Sequence, residues 1–119
     1  MILNESFYKI HEITREDNSA TVRVELLPSH PIYAGHFPGQ PVVPGVCTLT
    51  IIKECIEKVL GRSTSYASIK ECKYMSALIP EGNLYITISI TIDEEKTIKA
   101  VVNRDSTHET VLKLKAVIK

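Results

Sequence analysis

Residues 46–61 read VCTLTIIKECIEKVLG, and this stretch decides the fold class of the chain. Its apolar residues recur at spacings of three and four, which is typical of an amphipathic helix. Gly61 follows the last of them, at a position where glycine commonly ends a helix. The pattern therefore predicts a helix over 46–60, whose periodic apolar residues are Leu49, Ile52, Ile56, Val59 and Leu60.

Apolar residues cover well over half of the circumference of this predicted helix. Successive residues are about 100° apart, which places Cys47, Ile51 and Cys55 in the same broad sector. A helix that lies on a protein surface is apolar along one face only, so we expect other elements to enclose this one. The polar remainder is a strip through Thr50, Lys53, Glu54, Glu57 and Lys58.

Six segments around the helix alternate between apolar and polar residues, as β-strands do. Two of them precede the helix and four follow it, with short polar turns between neighbours. Four successive hairpin-like strands favour an antiparallel sheet, which can curl around one helix on its apolar face. The sequence predicts a single α+β domain over 1–119, with strands at 7–14, 20–27, 65–78, 82–92, 96–104 and 108–119.

Composition and charge exclude several classes of function. A chain of 119 residues suits one compact domain, and 14 basic against 14 acidic residues give zero formal net charge. A neutral chain without a basic run is a poor candidate for binding nucleic acid or an anionic membrane. No stretch approaches the roughly 20 apolar residues of a membrane span. The first ten residues, MILNESFYKI, lack the features of a signal peptide, which predicts a cytoplasmic protein.

The three cysteines are widely spaced and form no C-x-x-C pair. An odd, scattered set predicts neither a disulfide framework nor a zinc site. We interpret Cys55 and Cys72 as small buried apolar residues. Cys47 would lie in the first turn of the helix, where the helix dipole lowers the pKa of a thiol, so a nucleophilic role stays open for it.

A stiff loop precedes the helix. Residues 35–46 read GHFPGQPVVPGV, in which three prolines and three glycines surround the single histidine, His36. Prolines fix backbone angles and glycines permit unusual ones, so this composition holds a side chain in a defined place. The loop also leads into a helix N-terminus, whose unpaired N–H groups can stabilise a developing oxyanion. The arrangement indicates a catalytic loop.

The segment HFPGQPVVPGV resembles the active-site loop of the hot-dog-fold 3-hydroxyacyl-[acyl carrier protein] dehydratases of fatty acid synthesis. The resemblance spans most of the chain and includes KYMSALIPEGNLYI at residues 73–86, which is similar to a strand–turn–strand passage of that family. It implies a hot-dog fold, in which an antiparallel sheet wraps around one long central helix. It also implies a lyase that removes water from a 3-hydroxyacyl thioester and that needs neither a cofactor nor a metal ion.

The resemblance also implies roles for individual residues. His36 matches the catalytic histidine, and an imidazole with a near-neutral pKa suits the proton transfer. Val42 would hold the second ring nitrogen of that histidine through its backbone carbonyl. Gly45 and Val46 match the positions whose N–H groups polarise the thioester carbonyl. Phe37 is expected to contact the substrate.

One position departs from the family pattern. The second catalytic residue of these dehydratases is a Glu or Asp fourteen positions after the histidine, and this chain has Thr50 there. A threonine hydroxyl can line the substrate site, but it does not act as a general acid near pH 7. Glu54 follows one helical turn later on the same strip and is the candidate for the missing acid. The alternative is that Glu54 pairs with Lys53, Lys58 or solvent.

Three functions remain open. The first is a dehydratase-like enzyme acting on acyl carrier protein or coenzyme A thioesters, with Lys58, Arg62 and Lys73 as candidate contacts for an acidic carrier protein. The second is a catalytically silent hot-dog subunit that pairs with an active paralogue, because sites of this fold form between two chains. The third is a hot-dog thioesterase. We expect a homodimer or a heterodimer with another hot-dog protein.

Overall fold

The computed structural model describes residues 8–27, 45–76, 84–94 and 96–119. In this part of the chain one helix packs against a six-stranded antiparallel sheet, which is the hot-dog architecture that we predicted. The elements in chain order are β1 (Tyr8–Glu16), β2 (Ser19–Leu26), α1 (Gly45–Leu60), β3 (Tyr66–Tyr74), β4 (Tyr85–Asp93), β5 (Thr97–Arg104) and β6 (Thr110–Ile118).

The core lies between α1 and the inner face of the sheet. Ile51, Ile52 and Ile56 of the helix have no exposed surface, and neither do the thiol-bearing residues Cys47 and Cys55. The sheet contributes alternate residues of each central strand, because successive side chains of a strand point to opposite faces. These include Val22, Val24, Ile86, Ile88, Ile98, Val102, Leu112 and Leu114. The prediction of an enclosed apolar helix is therefore confirmed.

The strand order corrects one detail of the sequence interpretation. The sheet runs β1-β2-β4-β5-β6-β3, so β3 lies at an edge beside β6 and does not form a hairpin with β4. Strand β2 takes the place beside β4, with Val22 opposite Ile88. The two edges of the sheet are thus β1 and β3, and β3 reaches its edge on the far side of β4, β5 and β6.

Hydrogen bonds fix the end of the helix and tie two of its carbonyl groups to neighbouring strands. Gly61 has a φ angle of 73° and donates its N–H to the carbonyl of Glu57 at 2.8 Å, which ends the helix as predicted. Arg15 of β1 donates to the carbonyl of Val59 at 2.6 Å. Tyr66 of β3 donates its hydroxyl hydrogen to the carbonyl of Leu49 at 2.7 Å. In the described part of the chain, no helix combines the length and apolarity of a membrane span.

Candidate active site

The N-terminus of α1 provides the backbone donors of the predicted site. The helix begins at Gly45, so the first N–H groups, including those of Gly45 and Val46, have no partner within the helix. Such groups attract a developing negative charge on a carbonyl oxygen. His36, Phe37 and Val42 lie outside the described residues, and their roles stay predictions.

Thr50 and Glu54 lie on the same side of α1, one turn apart. The helical rise puts them about 6 Å from each other along the axis. The side chain of Thr50 is half-buried, and Glu54 is only 7% exposed. The strip that the sequence predicts as polar therefore places a buried carboxyl group one turn beyond the position of the missing family carboxylate.

Tyr8 is a buried polar partner of Glu54. Its hydroxyl donates a hydrogen bond of 2.9 Å to Oε1 of Glu54, and the tyrosine is fully buried at the start of β1. Burial raises the pKa of the Tyr8 phenol, and the nearby Cys55 and Glu54 add to the rise. The phenol therefore stays protonated and keeps donating to the carboxyl group. A buried carboxyl group with a fixed donor is a pre-oriented group.

Sequence reasoning did not identify Tyr8. The residue precedes Glu54 by 46 positions, and only the packing of β1 near the helix brings the two together. One signal was present: a tyrosine in a strand usually buries its ring and needs a partner for its hydroxyl. That signal predicts a polar partner but does not say which residue supplies it.

Glu57 differs from Glu54 although both belong to the polar strip. Its carboxylate lies 3.5 Å from the ammonium group of Lys53 and accepts a hydrogen bond of 2.8 Å from the N–H of Thr64. It ties the end of the helix to the segment that leads into β3. Glu57 thus contacts a lysine and the backbone at the partly exposed end of the strip, and Glu54 is buried beside Tyr8.

Burial makes Cys47 and Cys55 poor nucleophiles. Cys47 and Cys55 have no exposed surface, and burial raises the pKa of both, that of Cys55 to about 12 with an added contribution from Glu54. The position of Cys47 near the helix N-terminus does not offset its burial. Cys72 is only half-buried, on the inner face of β3. Within the described residues, no group of three metal-binding side chains comes together.

The candidate contacts for a carrier protein are all exposed. Lys58 lies in the last turn of α1, Arg62 follows the helix, and Lys73 lies on β3. Lys73 forms an ion pair of 3.0 Å with Glu71. Exposure is necessary for docking but common among basic residues, so the carrier-protein role stays a prediction.

A family model for ApeI-like proteins, described as ApeI dehydratase, matches residues 12–113 of this chain. The 3-hydroxyacyl-[acyl-carrier-protein] dehydratase FabZ of Ehrlichia chaffeensis is 29% identical over 76 residues, which cover 60% of this chain and 53% of that protein. The FabZ of Syntrophomonas wolfei is 31% identical over 70 residues, 53% of this chain and 49% of that protein. The chain thus spans about half the length of the curated relatives it matches.

Solved structures show the same fold. The dehydratase heterocomplex ApeI:P from Xenorhabdus doucetiae contains a chain that superposes with a TM-score of 0.78 at 22% identity, over 92% of this chain and 95% of that one. A hypothetical thioesterase from Streptococcus pneumoniae, solved with coenzyme A, superposes with a TM-score of 0.62 at 13% identity, over 93% and 86%. At these identities the likeness shows the fold alone.

Proposed function

Because the chain belongs to the ApeI-like family of dehydratases, we propose that it removes water from a 3-hydroxyacyl thioester. The observation that carries this proposal in an atypical chain is the buried carboxyl group of Glu54, one turn beyond Thr50. The FabZ relatives are named for acting on carrier-bound 3-hydroxyacyl groups, which favours an acyl carrier protein thioester here. A coenzyme A thioester carries the same reacting atoms.

The reaction divides between a base, an acid and the helix terminus. His36 takes the proton from the carbon beside the thioester carbonyl. The electron pair of the broken carbon–hydrogen bond forms the new carbon–carbon double bond. The bond from the next carbon to its hydroxyl breaks, and Glu54 gives that oxygen a proton so that water leaves. The N–H groups of Gly45 and Val46 bind the carbonyl oxygen while negative charge develops on it, which is worth about 3 kcal/mol per donor in related sites.

Glu54 suits the acid role better than Glu57 on two grounds. It is enclosed, so a proton transfer through it avoids competition from bulk water. The hydrogen bond from Tyr8 also keeps its carboxyl group in one orientation, whereas a flexible surface glutamate would sample many. Glu57 is engaged with Lys53 and Thr64.

A dimer completes this proposal, because the family resemblance places each site between two chains. Strand β3 is an edge strand, and unpaired sheet edges need cover. Ile69 and Tyr74 of this strand are 45% and 55% exposed, and Met75, directly after it, is 55% exposed, so large apolar side chains cluster at this edge. Sedimentation at micromolar concentration should show a dimer. A monomer there would contradict the two-chain site.

A silent subunit is the second candidate function. Thr50 occupies the acid position, and the structural neighbour from Xenorhabdus doucetiae belongs to a dehydratase heterocomplex. In this alternative the chain supplies a scaffold and a related chain supplies the missing acid. The homodimer would then be nearly inactive, and co-purification with the related chain would restore turnover.

The deciding experiment is turnover of a 3-hydroxyacyl thioester by the purified chain, followed as formation of the conjugated enoyl thioester. We expect activity in the wild-type chain and its loss in His36→Ala, with an unchanged circular dichroism spectrum. An acyl thioester that lacks the 3-hydroxyl group tests the third alternative, thioester hydrolysis. Hydrolysis of this substrate would release free thiol. Equal dehydration by wild type and His36→Ala would refute the proposed role of the histidine.

A further inference from the structure

The outer face of the sheet carries an array of four lysines. Lys73 of β3, Lys99 of β5, and Lys113 and Lys115 of β6 are all exposed. The residues that alternate with them, Ala100 and Leu114 among others, point into the core, so the four ammonium groups share one face. We refer to these four residues as the lysine array.

Strand register places the lysines directly opposite one another. Lys73 pairs with Lys113 across β3 and β6, and Lys99 pairs with Lys115 across β5 and β6. Like charges opposite each other on neighbouring strands destabilise a sheet. Two such pairs side by side should destabilise the sheet. Solubility does not account for them, because a surface of mixed charges is equally soluble.

One carboxylate belongs to this region. Glu71 lies opposite Lys115 and forms an ion pair of 3.0 Å with Lys73. The hydrogen bond and charge of Lys73 lower the pKa of Glu71, and Lys115 and Lys113 add smaller contributions in the same direction. Four lysines and one glutamate leave a local charge of +3 on a chain whose formal net charge is zero. Among the described residues, Lys73 is the member of the array with an ion-pair partner.

The array borders a cavity of about 370 Å³, with Val101 between the lysine side chains. This size lies in the range of small-molecule sites, which is roughly 300–1,000 Å³. Opposed residues of an antiparallel pair have Cα atoms about 5 Å apart, and alternate residues of one strand are about 7 Å apart. Several of these lysine side chains can therefore reach one compact anion above this part of the sheet.

We propose that the lysine array binds a small anion carrying two or more phosphate groups, of the size of a nucleoside diphosphate. Several ammonium groups around one concave surface match several phosphate oxygens, and each contact is a charge-assisted hydrogen bond. A space of about 370 Å³ fits a small molecule, whereas a docked acidic protein would need a broader surface, which favours the small anion. This inference does not depend on the dehydratase proposal, since it uses no residue of the proposed catalytic site. Lys73 is also a candidate carrier-protein contact, so the variants that test the array leave Lys73 unchanged.

The test is binding of adenosine diphosphate by calorimetry to the full-length chain, with adenosine and inorganic phosphate as comparison ligands. Lys113→Gln and Lys115→Gln should each weaken binding and raise the dissociation constant about tenfold, which is the scale of one charge-assisted contact. Lys9→Gln is the matched control, because Lys9 is an exposed strand lysine at the opposite edge of the sheet. It should leave the dissociation constant within twofold.

A second measurement uses the repulsion within the array. Without ligand, Lys113→Gln should raise the melting temperature, because it removes a like-charge pair. With saturating adenosine diphosphate the wild type should gain more stability than the variant. Binding of adenosine as tight as that of the diphosphate, or equal affinity in the array variants and the wild type, would overturn the proposal. Binding of an acidic protein to the array without any binding of the diphosphate would overturn it as well.

Discussion

The hydroxyl group of Tyr8 donates a hydrogen bond of 2.9 Å to Oε1 of Glu54, and both residues are buried. The bond joins the first residue of β1 to the third turn of α1, across 46 positions of sequence. Burying a carboxyl group is costly, and the hydrogen bond from the tyrosine hydroxyl offsets part of that cost for Glu54. The same contact orients the group that we propose as the acid.

Tyr8→Phe should lower the free energy of unfolding by about 1–3 kcal/mol, because the buried carboxyl group of Glu54 loses the hydrogen bond from this hydroxyl group. Urea denaturation measures this change. Tyr85→Phe is the matched control, since its ring contacts Arg23 and His11 on the outer face of the sheet and these contacts do not need the hydroxyl group. An equal loss for Tyr8→Phe in a Glu54→Leu background would show that the tyrosine does not act through the carboxyl group.

Glu54→Gln should reduce kcat of the dehydration by 10²-fold or more, the usual scale for a lost general acid. Folding should be retained, because the glutamine oxygen can still accept the hydrogen bond of Tyr8. Glu57→Gln makes the same chemical change one turn further along the helix and should keep wild-type turnover. Similar rates for the two variants in an active homodimer would remove Glu54 from the mechanism.

Thr50→Glu separates the enzyme from the silent subunit. In a silent subunit this change restores a carboxyl group at the family position, and the homodimer should gain turnover. In an active enzyme that uses Glu54, a second carboxyl group one turn away repels the first, and the pH dependence of kcat should change. Thr50→Gln adds the same bulk without the charge and is the control for both outcomes.

Asp105 should contribute stability that depends on pH. Hydrogen bonds from Thr87 at 2.7 Å and from Arg23 at 3.0 Å hold the pKa of this carboxyl group below its usual 3.8. A carboxyl group with a lowered pKa in the folded state stabilises the fold above the pKa of the unfolded chain, and this stabilisation is lost as the pH falls through the lower value.

We therefore expect Asp105→Asn to cost about 1 kcal/mol or less at pH 7, a small value because the pair is about one-third exposed. Urea denaturation at a series of pH values measures the difference from wild type, which should shrink as the pH falls below 3.8. A difference that stays constant from pH 7 to pH 2.5 would assign the effect to packing instead of charge.

Local patterns in the sequence were sufficient for the elements and for much of the fold. The spacing of apolar residues predicts α1 within one residue of its observed start, and Gly61 predicts its end. Period-two alternation is clearest in β2, β4, β5 and β6, because one face of each of these strands is buried. These features depend on neighbours within a few residues of one another, so a single sequence contains them.

Local sequence patterns did not predict which strands pair with each other. Nothing local in the SYASIKECKY segment distinguishes a hairpin with β4 from an edge position beside β6, and the predicted succession of hairpins was wrong for β3. Which strands pair depends on the burial of both faces and the closure of long loops, which are properties of the whole chain.

The two arrangements with the most consequence for function are also tertiary. The sequence marks Glu54 as a member of a polar strip, but only the packing of β1 near the helix encloses it and gives it the hydroxyl group of Tyr8. The lysines at 73, 99, 113 and 115 look scattered in a neutral sequence, and strand register alone brings them together. Periodicity determines which face a side chain occupies, whereas long-range pairing decides which other side chains it meets there.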